Sequence, residues 1–495
     1  MHVSPKRKVK IVGTLGPASN TQEKIEALIR AGLDTARLNF SHGTHDVHRA
    51  LFKAVREASK NCGKHIAVLQ DLQGPKLRLG KLPPEGILLK AGDEVLLYPE
   101  GTTPRSSTVG RIPMPISAEI AGPLSRDLKK GSRVLFDDGK VASEVKEVHA
   151  PEIVITVSVG GKLTSNKGMN LPGSPLSLPG CTDKDLIDLK LGLELGVDAV
   201  ALSFVRTPKD ITFVKDLIRK TSNHQPLIVS KIEREEAVYA PEGILEVTDS
   251  ILIARGDMAV ELGAQKVPVI QKMLIRMSNE LGVPVITATQ MLESMISCPT
   301  PTRAEASDVA NAVFDGTDAV MLSAESASGD YPVVSVETMV KIILEAESEA
   351  EKYSVHHALT PMSGSVVDSI EYSASKIASH VGATAIACLT HSGMAARSLA
   401  KYRPQNPIIA IMDNPASLRK LAFVWGVDGV LIPDIVATDD LFGMVSNVLI
   451  ENNRAEEGDT IVVTAGVPTL RRGTTNMIKV HEVKSVSMKP AVKTP

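Results

Sequence analysis

Short apolar runs alternate with longer stretches in which apolar residues recur at helical spacing. The runs are KVKIVGTLG, DTARLNFS, HIAVLQDL, DAVALSFV, PLIVSKIE, SILIARGD, PVITATQM and DAVMLSAE. Each has the length and apolar character of a strand buried on both faces, as in a parallel sheet covered by helices. The intervening stretches carry helix start and stop signals. TQEKIEALIRAG opens on Thr21 and closes on Gly32, and TDKDLIDLKLGLELG opens on Thr182 and closes on Gly196. Eight strand–helix units over residues 8–353 predict an α/β fold, a (β/α)₈ TIM barrel. A doubly wound open sheet is the competing architecture.

One unit is interrupted. After HIAVLQDL, no further barrel-type helix begins until Thr182. Between them lie Pro and Gly punctuation and alternating patterns such as GDEVLLY, SRVLFDDG, ASEVKEV and EIVITVSV. This predicts a small all-β domain at 74–172, inserted between the third strand and its helix, with edges near Gly74-Pro75 and LPGSPLSLPG. The barrel then comprises 1–73 and 173–353. Residues 354–495 form a separate α/β domain, with a helix over VVDSIEYSASKIASHV and strands at ATAIACLT, PIIAIMD, GVLIP and DTIVVTAG. The final KSVSMKPAVKTP reads as a loose tail.

Composition narrows the function classes. The hydrophobic fraction of 43% with a formal charge of -2 excludes long disorder and gives no global attraction to nucleic acid or anionic membrane. The four cysteines (Cys62, Cys181, Cys298, Cys388) are far apart and form no C-x-x-C pair, so neither a disulfide framework nor a structural zinc site is indicated. The start, MHVSPKRKVKIVG, has no apolar h-region, and no segment reaches the length of an uncharged membrane span. The expectation is a cytoplasmic enzyme.

In such a barrel the chemistry sits at the C-terminal ends of the strands. Residues two apart share a strand face, so Arg37, Asn39 and Ser41 line one side of the second strand, followed by His42. The third gives Asp71, with Lys76 and Arg78 beyond it. The fifth gives Lys231 and Glu233, the sixth Asp257, the seventh Thr287 and Thr289, and the eighth Ser323 and Glu325. Two carboxylates on adjacent strands, Glu233 and Asp257, suit Mg²⁺ (or Mn²⁺), which fills its other positions with water and substrate oxygens. Arg37, Arg78 and Lys231 supply the cations that a transferring phosphoryl group requires. Taken singly, each residue also has a structural reading, as an ion-pair partner or a turn residue. Convergence at one end of the barrel favours Mg²⁺-dependent phosphoryl chemistry on a small anionic substrate.

Taken together, LNFSHG, DLQGPK, SKIE, ARGD, TATQMLESM and PTRAEASDVANAVFDGTDAVMLSAESASGDYP resemble the pyruvate kinase family. The resemblance runs over essentially the whole chain and implies phosphoryl transfer from phosphoenolpyruvate to ADP, giving pyruvate and ATP. It implies that Arg37 and Arg78 bind phosphate and that Lys231 stabilises the transition state. Glu233 and Asp257 would hold the divalent metal. The backbone of Ala254, Arg255, Gly256 and Asp257 would cradle the substrate carboxylate. Thr289 would lie beside the enolpyruvate near the route of proton delivery, and Ser323 would belong to that water-linked route. Asn39, Ser41, Asp71 and Leu72 match the monovalent-cation position, and Asn39, His42, Arg78 and Lys167 the nucleotide side. The inserted domain would close over the barrel mouth, and the family is usually a homotetramer.

One departure bears on the cofactor. Members of the family that need K⁺ usually carry Glu at the position of Lys76 and Thr at that of Leu72. An ammonium here could stand in for K⁺, so activity is expected without it; the other reading is an ordinary surface lysine with K⁺ still required. In the C-terminal domain, Thr390, Ser392 and Gly393 of CLTHSGM, with Arg471 and Arg472 of TLRRGTT, resemble the family's pocket for phosphorylated effectors, either a sugar phosphate or a nucleotide. Plain N-capping is the alternative there. Two other functions stay open on the residues alone: a metal-dependent aldolase or mutase acting on pyruvate or phosphoenolpyruvate, and a non-catalytic sugar-phosphate sensor.

Overall fold

The eight apolar runs form eight parallel strands, Lys10–Thr14, Thr35–Asn39, Ala67–Asp71, Ala199–Leu202, Leu227–Ile232, Ser250–Ala254, Val285–Ala288 and Ala319–Leu322. They close into a barrel in chain order, the last pairing with the first through Lys10 and Ala319. Closure rules out the open sheet. The computed structural model describes residues 7–106, 109–174, 176–177, 179–353, 359–361, 364–433, 441–468 and 475–485. The outer helices begin and end as the sequence predicts. Thr21 accepts a hydrogen bond from the Lys24 N–H, and Thr182 and Asp185 cap each other reciprocally before the helix that ends at Gly196, φ +76°.

Strand alternation produces the site. Val12, Leu69, Ala201, Val229 and Met321 fill the barrel interior. Two residues further along the same inward faces come Thr14, Asp71, Ser203, Lys231 and Ser323. An apolar layer thus lies directly beneath a polar one. The sixth run is shorter than its text suggested. Only Ala254 of ARGD belongs to the strand, and Arg255–Leu262 is a helix, so Asp257 sits in a helix's first turn rather than on a strand. SILIA alone fills the buried positions, and an acidic residue is favoured beside the free N–H groups of a helix start.

The chain leaves the barrel at Gly74, whose φ is +69° and where a Cβ would meet the Ser203 Cβ and the Phe204 ring at 2.9 Å. The inserted domain, or lid, has its own core, around Val95, Phe136 and Ile155. A six-stranded sheet (Glu94–Pro99 lying between Arg111–Ile116 at the edge and Glu152–Val159) and a two-stranded one make up its β structure. It is not purely β, however. AEIAGPLSRD forms the helix Ala118–Asp127 despite Gly122 and Pro123, which read as breakers. Ala121 and Leu124 are buried in the lid core, and that packing outweighs the propensity cost of the two residues.

The C-terminal domain carries a five-stranded sheet in the order Val427–Leu431, Ile408–Met412, Ala385–Leu389, Thr460–Ala465, Met477–Glu482. The last strand is antiparallel, and apolar clusters lie on both faces. It docks under the barrel. Arg403 pairs with Asp318 (3.1 Å) and Arg419 with Asp198 (2.7 Å), two aspartates that directly precede barrel strands. Phe423 is wholly buried among the residues of the barrel interior.

Beneath this sheet, Glu371 on the helix Val366–Val381 is fully buried with neither carboxylate oxygen hydrogen-bonded. Burial pushes its pKa up to about 8, the Thr464 hydroxyl working the other way and Asp368 adding to the rise. Below 4.5 both folded and unfolded carboxyls hold the proton; from there to about 8 only the folded one does. Stability should therefore fall as pH rises through that window and level off above it. Glu371→Gln removes this dependence. Between pH 6 and 9 it should gain about 2–3 kcal/mol relative to the parent, read from denaturation midpoints at the two pH values.

Candidate active site

At the C-terminal mouth of the barrel, Lys231 is buried between two carboxylates. Its Nζ lies 3.6 Å from Asp71 Oδ1 and 3.7 Å from Glu233 Oε2, and it donates to Ser203 Oγ at 2.7 Å. Arg37 donates to Asp71 Oδ2 through Nε (2.7 Å) and through Nη2 (2.6 Å), and its Nη1 donates to Thr14 Oγ1 (2.8 Å). Asp71 thus holds both cations at one spot. Burial works against its charge, but Lys231 and Arg37 outweigh that and keep its pKa below the usual carboxylate value. Burial likewise opposes the Lys231 charge, but Asp71, Glu233 and Asp257 more than compensate and raise its pKa. Lys231 therefore stays charged.

Glu233 is different. Burial pushes its pKa up to about 7, with Asp257 and Asp71 adding to the effect against Lys231. One oxygen, Oε1, accepts the Phe204 N–H at 2.6 Å; the other, Oε2, is buried without a hydrogen bond. Asp71 Oδ1 is in the same condition. Orphaned buried carboxylate oxygens are costly, and a divalent cation between Glu233 and Asp257 would satisfy one of them. No cluster of three or more His, Cys, Asp or Glu side chains suited to a metal occurs among the described residues. A two-carboxylate site completed by water and substrate fits Mg²⁺ better than Zn²⁺.

The next wall of the mouth is set by backbone geometry. Thr289 has φ +71°, which turns the chain sharply after the seventh strand, and its Oγ1 accepts the Gly256 N–H at 2.8 Å. The Arg255 side chain does not face the mouth: it is held by Asp308 (2.7 Å) and by the carbonyl oxygens of Ala288 and Thr289. Arg255 thereby fixes the junction between the strand ending at Ala254 and the helix turn of Gly256 and Asp257. Thr287 is buried and pairs with the Thr317 hydroxyl (2.9 Å), away from the interior face formed by Ile286 and Ala288. The Glu325 carboxylate accepts the N–H groups of Leu292 and Ser323, so Glu325 is structural.

A cleft between barrel and lid collects Lys76, Asp138, Phe204, Arg206, Arg234 and Asp257 on its lining. His42 stands close enough to Arg78, Lys76 and Arg37 that, after burial, their charges lower its pKa further. Arg78 donates to the Asn166 carbonyl at 3.0 Å, and Lys167 is tied to Asp137 at 2.7 Å within the lid. Asn39 Oδ1 accepts the Ser41 N–H (3.1 Å), so these two fold against each other; Leu72 is buried. Lys76 is exposed and its ammonium makes no hydrogen bond or ion pair with the described residues. The sequence reading missed Ser203, Thr14, Asp138 and Arg234. The first two could have been found by extending the strand alternation one step, and Asp138 by the DDG turn.

In the C-terminal domain, Gly393 (φ +82°) donates its N–H to Thr390 Oγ1 at 3.1 Å, and the Met394 N–H reaches Ser392 Oγ at 3.4 Å. Both hydroxyls therefore cap their own loop. Arg471 and Arg472 lie outside the described residues. Among the described residues no helix is long and apolar enough to cross a membrane.

Comparison with known proteins agrees over the length of the chain. Residues 6–336 match the family model for the pyruvate kinase barrel domain, and residues 368–481 that for the pyruvate kinase alpha/beta domain. A pyruvate kinase from Geobacillus stearothermophilus is 43% identical over 98% of this chain and 82% of its own length. Pyruvate kinase 2 of a Synechocystis species is 44% identical over 98% of this chain and 81% of its own. A crystal structure of a pyruvate kinase from Cryptosporidium parvum superimposes with a TM-score of 0.88 at 33% identity, covering 97% of this chain and 96% of that one.

Proposed function

The chain belongs to the pyruvate kinase family and is a phosphotransferase, with phosphoenolpyruvate, ADP, ATP and pyruvate as its reactants; from this we propose that Lys231, Arg37, Arg78, Glu233 and Asp257 carry the transfer. The aldolase-type alternative is not favoured. The observation that most supports the assignment is the Lys231 ammonium held between Asp71 and Glu233, whose Oε2 makes no hydrogen bond among the described residues.

The family uses Mg²⁺ and K⁺. Glu233 and Asp257 would hold the Mg²⁺, which when bound neutralises phosphoryl oxygens and polarises the substrate. Arg37, fixed by Asp71, grips the phosphate, and Lys231 follows the PO₃ unit as it moves from the enol oxygen to the β-phosphate of ADP. The Asp257 N–H, at a helix start whose Gly256 N–H is already held by Thr289, receives the substrate carboxylate. Thr289 and Ser323 border the space where pyruvate enolate takes up its proton. His42, Asn39, Arg78 and Lys167 serve the nucleotide, and closure of the lid excludes water that would otherwise weaken these charges or hydrolyse ATP. Thr390, Ser392 and Gly393 would border a pocket for a phosphorylated effector. The working assembly is a cytoplasmic homotetramer.

The test is ATP formation from phosphoenolpyruvate, ADP and Mg²⁺ with tetramethylammonium as the only monovalent cation. Activity should persist there, because the Lys76 ammonium would supply the positive charge otherwise brought by K⁺ beside Asn39, Ser41, Asp71 and Leu72. Lys76→Glu should lose at least about tenfold of this rate and regain it on adding K⁺, a change of roughly 1.4 kcal/mol in the barrier. A parent enzyme that collapses without K⁺ overturns the substitution by Lys76 but not the transfer reaction.

A further inference from the structure

Arg234 directly follows the carboxylate residue Glu233, and its almost wholly buried side chain pairs with Glu261. Its Nη1 lies 3.1 Å from Glu261 Oε1 and 3.2 Å from Glu261 Oε2. Its Nη2 donates to the Ser174 carbonyl at 3.1 Å, in the segment that returns the chain from the lid to the barrel. Glu261 stands four residues after Asp257 on the helix Arg255–Leu262, so the two share a helix face one turn apart.

One buried ion pair therefore joins three things: the strand end bearing Glu233, the helix bearing Asp257 and the lid's return connection. A planar guanidinium can hold a carboxylate and a carbonyl in fixed directions at once, which a lysine ammonium does not do. We propose that Arg234 and Glu261 form a positioning clasp that sets the spacing of the Glu233 and Asp257 carboxylates and couples it to the position of the lid. A change in the spacing of those carboxylates would pass through the clasp to Gly173–Ser174, and a lid held in one position biases the carboxylates in turn. The inference rests on the assignment of Glu233 and Asp257 as the divalent-cation site.

The test uses Arg234→Lys, which keeps the charge, and the charge-exchanged pair Arg234→Glu with Glu261→Arg. Mn²⁺ binding is titrated directly without substrate, and hydrogen exchange is followed at residues 171–177 of the metal-free protein. Arg234→Lys should weaken Mn²⁺ binding by about 10–100-fold. It should also speed exchange in the return segment while exchange in the C-terminal domain stays unchanged, and the exchanged pair should recover Mn²⁺ binding but not the protection, because a carboxylate at position 234 cannot donate to the Ser174 carbonyl. Parent-like Mn²⁺ binding and exchange at 171–177 in Arg234→Lys would overturn the clasp with the metal site intact. So would a loss of protection spread evenly over the protein with no change in Mn²⁺ affinity. If the parent binds Mn²⁺ no better than Glu233→Gln, the metal assignment itself fails and the clasp with it.

Discussion

Lys231→Met is expected to abolish useful turnover, lowering kcat by about 10³-fold or more while phosphoenolpyruvate still binds. Removal of a single neutral donor from a charge-stabilising site costs about 10²–10³-fold, and here a full positive charge is lost from a buried site. Methionine matches the length of the lysine stem, so the change tests charge rather than shape. Asp71 retains both bonds to Arg37. Glu233 loses its main cationic neighbour, and with burial, Asp257 and Asp71 all acting to raise its pKa, it holds its proton more firmly. The variant should therefore also need more Mg²⁺ at neutral pH, because a protonated carboxyl must ionise before it can bind the metal. Steady-state rates over a Mg²⁺ series check both effects. A kcat within tenfold of the parent would remove Lys231 from the centre of the mechanism.

That lysine was legible in the sequence because strand alternation is a strong rule. Once the runs are strands of a barrel, Arg37, Asp71 and Lys231 fall on inward faces at one end without further information. Thr14 and Ser203 obey the same rule and were overlooked only because hydroxyls carry little chemical signal in isolation. The errors came where a local pattern competes with tertiary packing. ARGD reads as the end of an apolar run, but a helix beginning at Arg255 carries Asp257 into the mouth from another direction. The lid helix Ala118–Asp127 contains residues that break isolated helices and survives on the burial of Ala121 and Leu124. The Arg255 guanidinium, facing Asp308 fifty-three residues away, and the Arg234–Glu261 pair had no local signature at all. Contacts of that kind depend on which loops the closed barrel brings side by side.

The floor of the barrel is another such contact, and Phe423→Ala should be the most destabilising single change outside the site. Phe423 comes from a short 3₁₀ turn of the C-terminal domain, Leu421–Phe423, and packs into the interior cluster of the barrel. The strands it meets begin with small residues: Ala67, Ala199 and Ala319 are each the first residue of their strand and members of that cluster. Small side chains at the entrance leave a space that no barrel residue fills, and the ring fills it from below. Truncation to alanine leaves a cavity that close-packed strands cannot collapse into, at a cost of about 3–5 kcal/mol. Phe423→Leu keeps most of the volume and should cost less than half of that. The pairs Arg403–Asp318 and Arg419–Asp198 flank the plug and should hold the domains together in either variant, so the loss falls on the barrel's own unfolding transition. Calorimetry resolves this, because a three-domain chain need not unfold in one step. The barrel transition of Phe423→Ala should move down by several degrees, and further than that of Phe423→Leu. Equal, small shifts in both variants would mean that the ring merely caps an already filled interior.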